Sequence, residues 1–153
     1  MRVGVTPETM AVHSESMSQN APYEVLQQDE TAHIVASKAE ETTGYVIFKA
    51  NTTLNDNTIT STSQSCVITT QRHGTEMVFS VADPDLNFID NDKAPNQWGY
   101  SQPSTIVVTL RGRWKIDGDS AAAIADPKTG ETAITVICTD GLTSSVKLIP
   151  NSN

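Results

Sequence analysis

Basic residues, aromatics, cysteines and long apolar runs are all scarce in this 153-residue chain, and each scarcity removes a class of protein. Lysine and arginine number 10 against 18 aspartates and glutamates, a formal charge of −8. Affinity for nucleic acid comes from neutralising phosphates with Lys and Arg, so no nucleic-acid partner is expected. No apolar run approaches the roughly 18 residues that cross a bilayer, so no membrane partner is expected either. No segment combines a charged start, an apolar middle and a small-residue cleavage site, and no signal peptide is read in these residues. The two cysteines, Cys66 and Cys138, are too few for a disulfide framework and lack metal spacing. Both sit among β-branched residues, in Cys66-Val67-Ile68 and Val136-Ile137-Cys138. Two readings stay open: buried thiols acting as small hydrophobes, or a single bridge between neighbouring strands.

What is abundant points to β-structure. Serine and threonine make up roughly a fifth of the chain, well above ordinary usage. Threonine, valine and isoleucine dominate the periodic segments, and these residues favour a pleated, half-buried surface. The length fits one domain, or one domain with an extra piece, and a chain of this mass buries roughly two-thirds of its unfolded surface.

The start differs from the rest. Residues 2–6 read as extended. Thr6-Pro7-Glu8 is a helix start, with threonine as N-cap, proline in the first helical position and an acid in the first turn. Residues 9–19 then read as a short helix, with Met10, His13 or Ser14, and Met17 on one face, ended by Asn20-Ala21-Pro22. From Tyr23 the period changes to two. Strands are predicted over 23–28, 33–37, 44–50, 66–72, 76–82, 104–111 and 132–139, with a last strand placing Leu142, Val146 and Leu148 on one face. Residues 51–57 are a polar turn region. His73-Gly74-Thr75 is a short loop between two of the strands, and Asp140-Gly141 reads as a two-residue hairpin turn. The fold class is therefore all-β, an antiparallel β-sandwich with one short N-terminal helix.

Few residues combine into chemistry. His13, His33 and His73 are not paired at metal spacing with one another or with a cysteine, and read as structural or solvated. No nucleophile elbow, phosphate loop or dinucleotide fingerprint occurs. Asp83-Pro84-Asp85-Leu86-Asn87 opens like a calcium loop, but Phe88 stands where glycine is required and Ala94 where the bidentate glutamate belongs. That excludes an EF-hand. Asp90 and Asp92 leave a looser calcium site as one reading, and an Asx turn leaving a strand as the other. Asp117, Asp119 and Asp126 read as solvated turn acids rather than a glycosidase pair.

Two features suit a sugar. Gln97-Trp98-Gly99-Tyr100 puts two aromatics in a loop, where Trp98 and Tyr100 can stack on apolar sugar faces or fold back over a sandwich end. Period two places Arg111, Arg113 and Lys115 on one face of a strand and its extension. That cationic stripe suits carboxylate or sulfate groups, and equally suits an inter-domain contact or a solvated face paired to acids.

The order of Tyr23-Glu24-Val25-Leu26, His33-Ile34-Val35, Thr43-Gly44-Tyr45, Ala82-Asp83-Pro84-Asp85-Leu86-Asn87, Leu110-Arg111-Gly112-Arg113-Trp114 and Val146-Lys147-Leu148 resembles the C-terminal part of chondroitin sulfate ABC lyase-like enzymes. These belong to the polysaccharide lyase family that also holds hyaluronate, chondroitin AC and xanthan lyases. The resemblance covers nearly the whole chain, including Val5-Thr6-Pro7-Glu8. It implies residues 1–22 as the remnant of a preceding β-domain and 23–150 as a C-terminal β-sandwich. It implies an α/α-toroid and a central sandwich as partners, and a secreted or periplasmic location. The parent reaction would be β-elimination on uronic-acid polysaccharides, with no cofactor. The family's catalytic residues lie in the toroid and central sandwich. No position here matches their motifs, so no catalytic residue is carried over, and Tyr23, Tyr45 and Tyr100 are not assigned as a base. The resemblance implies a non-catalytic module of a glycosaminoglycan lyase. The alternatives are a free-standing carbohydrate-binding module using Trp98, Tyr100, Arg111, Arg113 and Lys115, and a structural interaction domain. A −8 surface repels a polyanion over about a Debye length, so only a local cationic patch could hold one.

Overall fold

The computed structural model describes residues 21–85, 102–118, 123–128, 130–139 and 141–152. The helix expected at 9–19, the extended segment at 2–6 and the Trp98/Tyr100 loop lie outside the described residues. Within them the fold is two antiparallel sheets and no helix.

The first sheet has seven strands: β1 (Tyr23–Gln28), β2 (Ala32–Ser37), β3 (Thr42–Ile47), β5 (Cys66–His73), β6 (Glu76–Ala82), β11 (Ser144–Pro150) and β8 (Trp114–Ile116), in the order β1-β2-β3-β5-β6-β11-β8. The second has four: β4 (Ile59–Thr62), β7 (Ser104–Arg111), β10 (Glu131–Cys138) and β9 (Ala123–Pro127), in the order β4-β7-β10-β9. Alternation decides which side chains meet between the sheets. Ile34, Tyr45, Ile68, Met77, Phe79, Val81 and Leu148 point in from the first sheet, and Ile59, Ile106, Val108, Leu110, Ile134 and Val136 from the second, all in one buried cluster. Cys66 and Cys138 belong to it as free, buried thiols.

Several expectations shift. β3 stops at Ile47, because the Phe48 and Lys49 N–H groups both donate to the Thr31 carbonyl, leaving the ladder. Residues 73–76 close more tightly than a three-residue loop, since His73 already pairs with Glu76. Asp140 lies outside the described residues, but β10 and β11, on either side of the expected hairpin turn, do not pair with each other. Leu142 N–H does bond the Thr139 carbonyl at 2.9 Å, but β10 pairs with β7 and β9 while β11 pairs with β6 and β8. The turn crosses from one sheet to the other, because each strand buries one face in the shared core. Leu142 lies before β11 and is 68% exposed, not aligned with Val146 and Leu148. β4, β8 and β9 were not predicted: they have 4, 3 and 5 residues, too short to display a period. β4 pairs with β7 through a register shift between Ile59 and Ser61, and β1 with β2 through one between Val25 and Gln27.

Candidate functional site

The cationic segment falls where the chain changes sheets. Arg111 ends β7 in the second sheet, and Trp114 opens β8 in the first. Gly112 makes the step at φ 88°, in the left-handed region open to glycine, and a Cβ there would meet Trp114 Nε1 at 3.4 Å. The expected stripe of Arg111, Arg113 and Lys115 on one strand face is therefore corrected. The strand does not continue past Arg111, and Arg111 and Lys115 belong to different sheets. All three side chains are exposed at this end of the sandwich.

Thr132 fixes the crossover. Its fully buried hydroxyl accepts from the Trp114 N–H at 2.8 Å and donates to the Gly112 carbonyl at 2.9 Å. The Gly112 N–H reaches the Gly130 carbonyl, and the Asn151 N–H reaches the Arg113 carbonyl. Trp114 is buried, its indole N–H donating to the Arg111 carbonyl at 2.8 Å.

The structure adds a cation that the sequence reading missed. Arg72, exposed at the end of β5, lays its guanidinium over the Trp114 ring, 5.6 Å from the centroid. Its Nη2 donates to Thr58 Oγ1 at 3.5 Å, and Arg111 Nε donates to the Asp56 carbonyl at 3.3 Å. The two guanidiniums thus flank the segment 56–58. No local pattern around Arg72 signals this, because only the packing of β5 against the crossover brings it there. Asp56 is engaged inward: its Oδ2 accepts from Tyr45 Oη at 3.0 Å and from the Thr58 and Ile59 N–H groups. Burial, and then the Asp56 charge, push the Tyr45 phenol well above its ordinary value, so it stays neutral. Beside Arg111 an open groove of about 400 Å³ is lined by Glu24, Asn55, Asp56 and Asn57.

The ion pairs among the described residues use other lysines. Lys147 reaches Glu76 at 3.0 Å and Asp117 at 3.1 Å, Lys49 reaches Glu30, and Lys128 reaches Asp126. Lys147 is held above its usual value by hydrogen bonds to Glu76 and then Asp117. Arg72, Arg111, Arg113 and Lys115 make no ion pair among the described residues. Of these exposed cations, Arg72 and Arg111 are brought together at the segment 56–58, where a carboxylate or sulfate can be received.

At the opposite end, Asp83 is buried and forms the Asx turn read as one alternative, its Oδ1 accepting from the Asp85 N–H at 2.9 Å. Its Oδ2 accepts from Ser104 Oγ and from Gln64 Nε2. No group of three or more His, Cys, Asp or Glu among the described residues is placed to hold a metal. His33 packs edge-on against Phe48, with centroids 5.0 Å apart.

The described residues thus form an all-β sandwich with exposed cations where the chain changes sheets. Comparison with known proteins places it. Residues 24–87 match the model of polysaccharide lyase family 8, C-terminal beta-sandwich domain. It is 28% identical over 163 aligned residues to the chondroitin sulfate ABC exolyase of Bacteroides thetaiotaomicron, covering 94% of this chain and 16% of that protein. It is 27% identical over 147 aligned residues to the chondroitin sulfate ABC endolyase of Proteus vulgaris, covering 95% of this chain and 14% of that protein. The fold is shared with Paenibacillus xanthan lyase, at TM-score 0.68 and 13% identity, over 97% of this chain and 13% of that one. It is shared also with the Streptomyces coelicolor A3 chondroitin AC lyase in complex with chondroitin sulphate, at TM-score 0.66 and 11% identity, over 97% and 17%. The chain thus spans about a sixth of the curated relatives it matches. No helix among the described residues is long and apolar enough to cross a membrane.

Proposed function

We propose that this chain is the non-catalytic C-terminal β-sandwich of a glycosaminoglycan lyase, acting on chondroitin or dermatan sulfate or hyaluronan by β-elimination outside the cytoplasm. The observation that carries the reading is full-length similarity to two chondroitin lyases of which this chain would form only 16% and 14%. Residues 23–150 would be the module, and residues 1–22 the end of the preceding sandwich with its linker. Toroid and central sandwich would supply the base, the groups that neutralise the uronate carboxylate, and the donor to the leaving oxygen. Catalysis is tested by offering chondroitin sulfate to the 153-residue chain and following unsaturated uronate absorbance. No product is expected, and turnover by this chain alone overturns the reading.

A second reading has its own support. Arg72, Arg111, Arg113 and Lys115 make no ion pair among the described residues, which favours a local site for carboxylate or sulfate groups near the crossover. Titration with chondroitin sulfate oligosaccharides at low salt is expected to give weak, salt-sensitive binding, weakened about tenfold by Arg111→Ala or Arg72→Ala. Absence of binding at millimolar oligosaccharide removes this reading and leaves the first standing.

A further inference from the structure

The outer face of the first sheet is divided in two. Pairing across β1, β2, β3 and β5 sets Val25 beside Val35, His33 beside Val46, and Val46 beside Val67. Tyr23 and Phe48 flank them, and these apolar side chains are between 37% and 53% exposed. Across β6, β11 and β8 the same face is more polar: half-buried Val78 and Ile149 lie among Ser80 and Ser145, which share a 2.7 Å hydrogen bond, Lys115, and Lys147, which bridges Glu76 and Asp117. In a chain of charge −8, the β1–β3–β5 half presents valines, a tyrosine and a His33–Phe48 pair. The outer face of the second sheet is different in kind. Its exposed Ile124 and Ile137 stand among Thr105, Thr109 and Thr135, and scattered apolar residues of that sort need no partner.

Gly44 lies in the middle of the apolar half, paired with Val35 on one side and Thr69 on the other. Glycine inside a strand is destabilising and gives no side chain to pack. Nothing among the described residues requires it: a Cβ there would approach none of them nearer than the Val35 carbonyl at 4.0 Å. A missing side chain at the centre of an apolar face leaves room for a covering surface to approach the backbone closely.

We propose that this apolar half is the surface on which the module docks against the rest of its lyase, whose contact surface is correspondingly apolar and seats over Gly44. The inference rests on the lyase-module reading and specifies its partner surface. The chain itself points to this occupant. Tyr23, the first residue of β1, is part of the patch, so any preceding segment is tethered at its corner, and tethering raises the effective concentration of whatever lies upstream. The relatives carry about six-sevenths of their length outside the matched region, enough to bury such a face.

The test uses the 153-residue chain and the remainder of the polypeptide encoded with it, produced as two proteins and titrated calorimetrically. Binding is expected. Val35→Lys with Val46→Lys should weaken it about 100-fold, as central apolar anchors do. Gly44→Thr should weaken it by a similar factor while leaving the melting temperature of the isolated chain unchanged or raised. Ser145→Lys, on the polar half, should leave binding intact. Wild-type binding by the double lysine and Gly44→Thr variants overturns the proposal, as does loss of binding in Ser145→Lys. A concentration-dependent dimer of the isolated chain that the double lysine variant abolishes assigns the face to a second copy and also overturns it. The lyase reading is judged separately, by whether the remainder forms unsaturated uronate from chondroitin sulfate.

Discussion

Replacing Thr132 with valine keeps the shape of a fully buried side chain and deletes two hydrogen bonds at the point where the chain passes between sheets. The Trp114 N–H faces the core side of the crossover and has Thr132 Oγ1 as its partner at 2.8 Å. Left without it, a buried donor costs about 1–3 kcal/mol. The Gly112 carbonyl is only partly buried, so water can replace part of that bond and the loss there is nearer about 1 kcal/mol. Together the variant should lose about 2–4 kcal/mol, a large share of the stability of an ordinary domain. For a chain of this size that is a fall of roughly 5–15 °C in melting temperature. Thr132→Ser keeps the hydroxyl and should lose only about 1 kcal/mol for the methyl group. Thr135→Val, a half-buried position on the outer face of the same strand, should be nearly neutral. Calorimetric melting of all three, with urea midpoints as a second measure, decides the matter. A Thr132→Val protein melting within about 2 °C of wild type, or indistinguishable from Thr135→Val, would refute the claim that this hydroxyl holds the crossover.

Gly112→Ala should cost about 1–3 kcal/mol, since it forces a side chain into φ 88° and toward Trp114 Nε1, and its melting curve reads the loss directly. The thiols should be inert in the native protein: burial pushes Cys66 from 9.0 up to about 12 and raises Cys138 as well. A chromogenic disulfide reagent should therefore titrate two thiols only after denaturation. The same shifts set the sign of a pH effect. Above pH 9 the unfolded thiols release protons that the folded ones keep, so the urea midpoint should fall between pH 9 and about 12. Removing both thiols (Cys66→Ala with Cys138→Ala) should flatten that fall, and a fall of unchanged steepness in the double variant would exclude the thiols as its source.

The long strands were legible because their alternation is strict. In β7, Ile106, Val108 and Leu110 announce one face, and β10 repeats the pattern with Ile134, Val136 and Cys138. What escaped was whatever depends on the partner rather than on the strand. β8 has three residues, and its existence is decided by pairing with β11. The sheet assignment of β11 is decided by β6, so a good turn at Gly141 was misread as a hairpin. The candidate corner divides the same way. Arg111, Arg113 and Lys115 were visible as a local run. Arg72 comes from another strand and is tied to them by the face of Trp114, which no spacing rule connects to it. The Asx turn at Asp83 was readable because its hydrogen bond to Asp85 N–H is local in sequence, whereas Ser104 and Gln64 reach it through the fold.

Each outermost strand of the two sheets is a poor template for another chain. β1 breaks register between Val25 and Gln27, β8 offers three residues, β4 has four with a register shift, and β9 ends in Pro127. Backbone-to-backbone growth, the route to fibres and strand-swapped aggregates, is therefore discouraged at the four ladder ends formed by the described residues. A sandwich built this way keeps its neighbours off its rims, and the contacts open to it are made by side chains on its broad surfaces, where composition can select the partner.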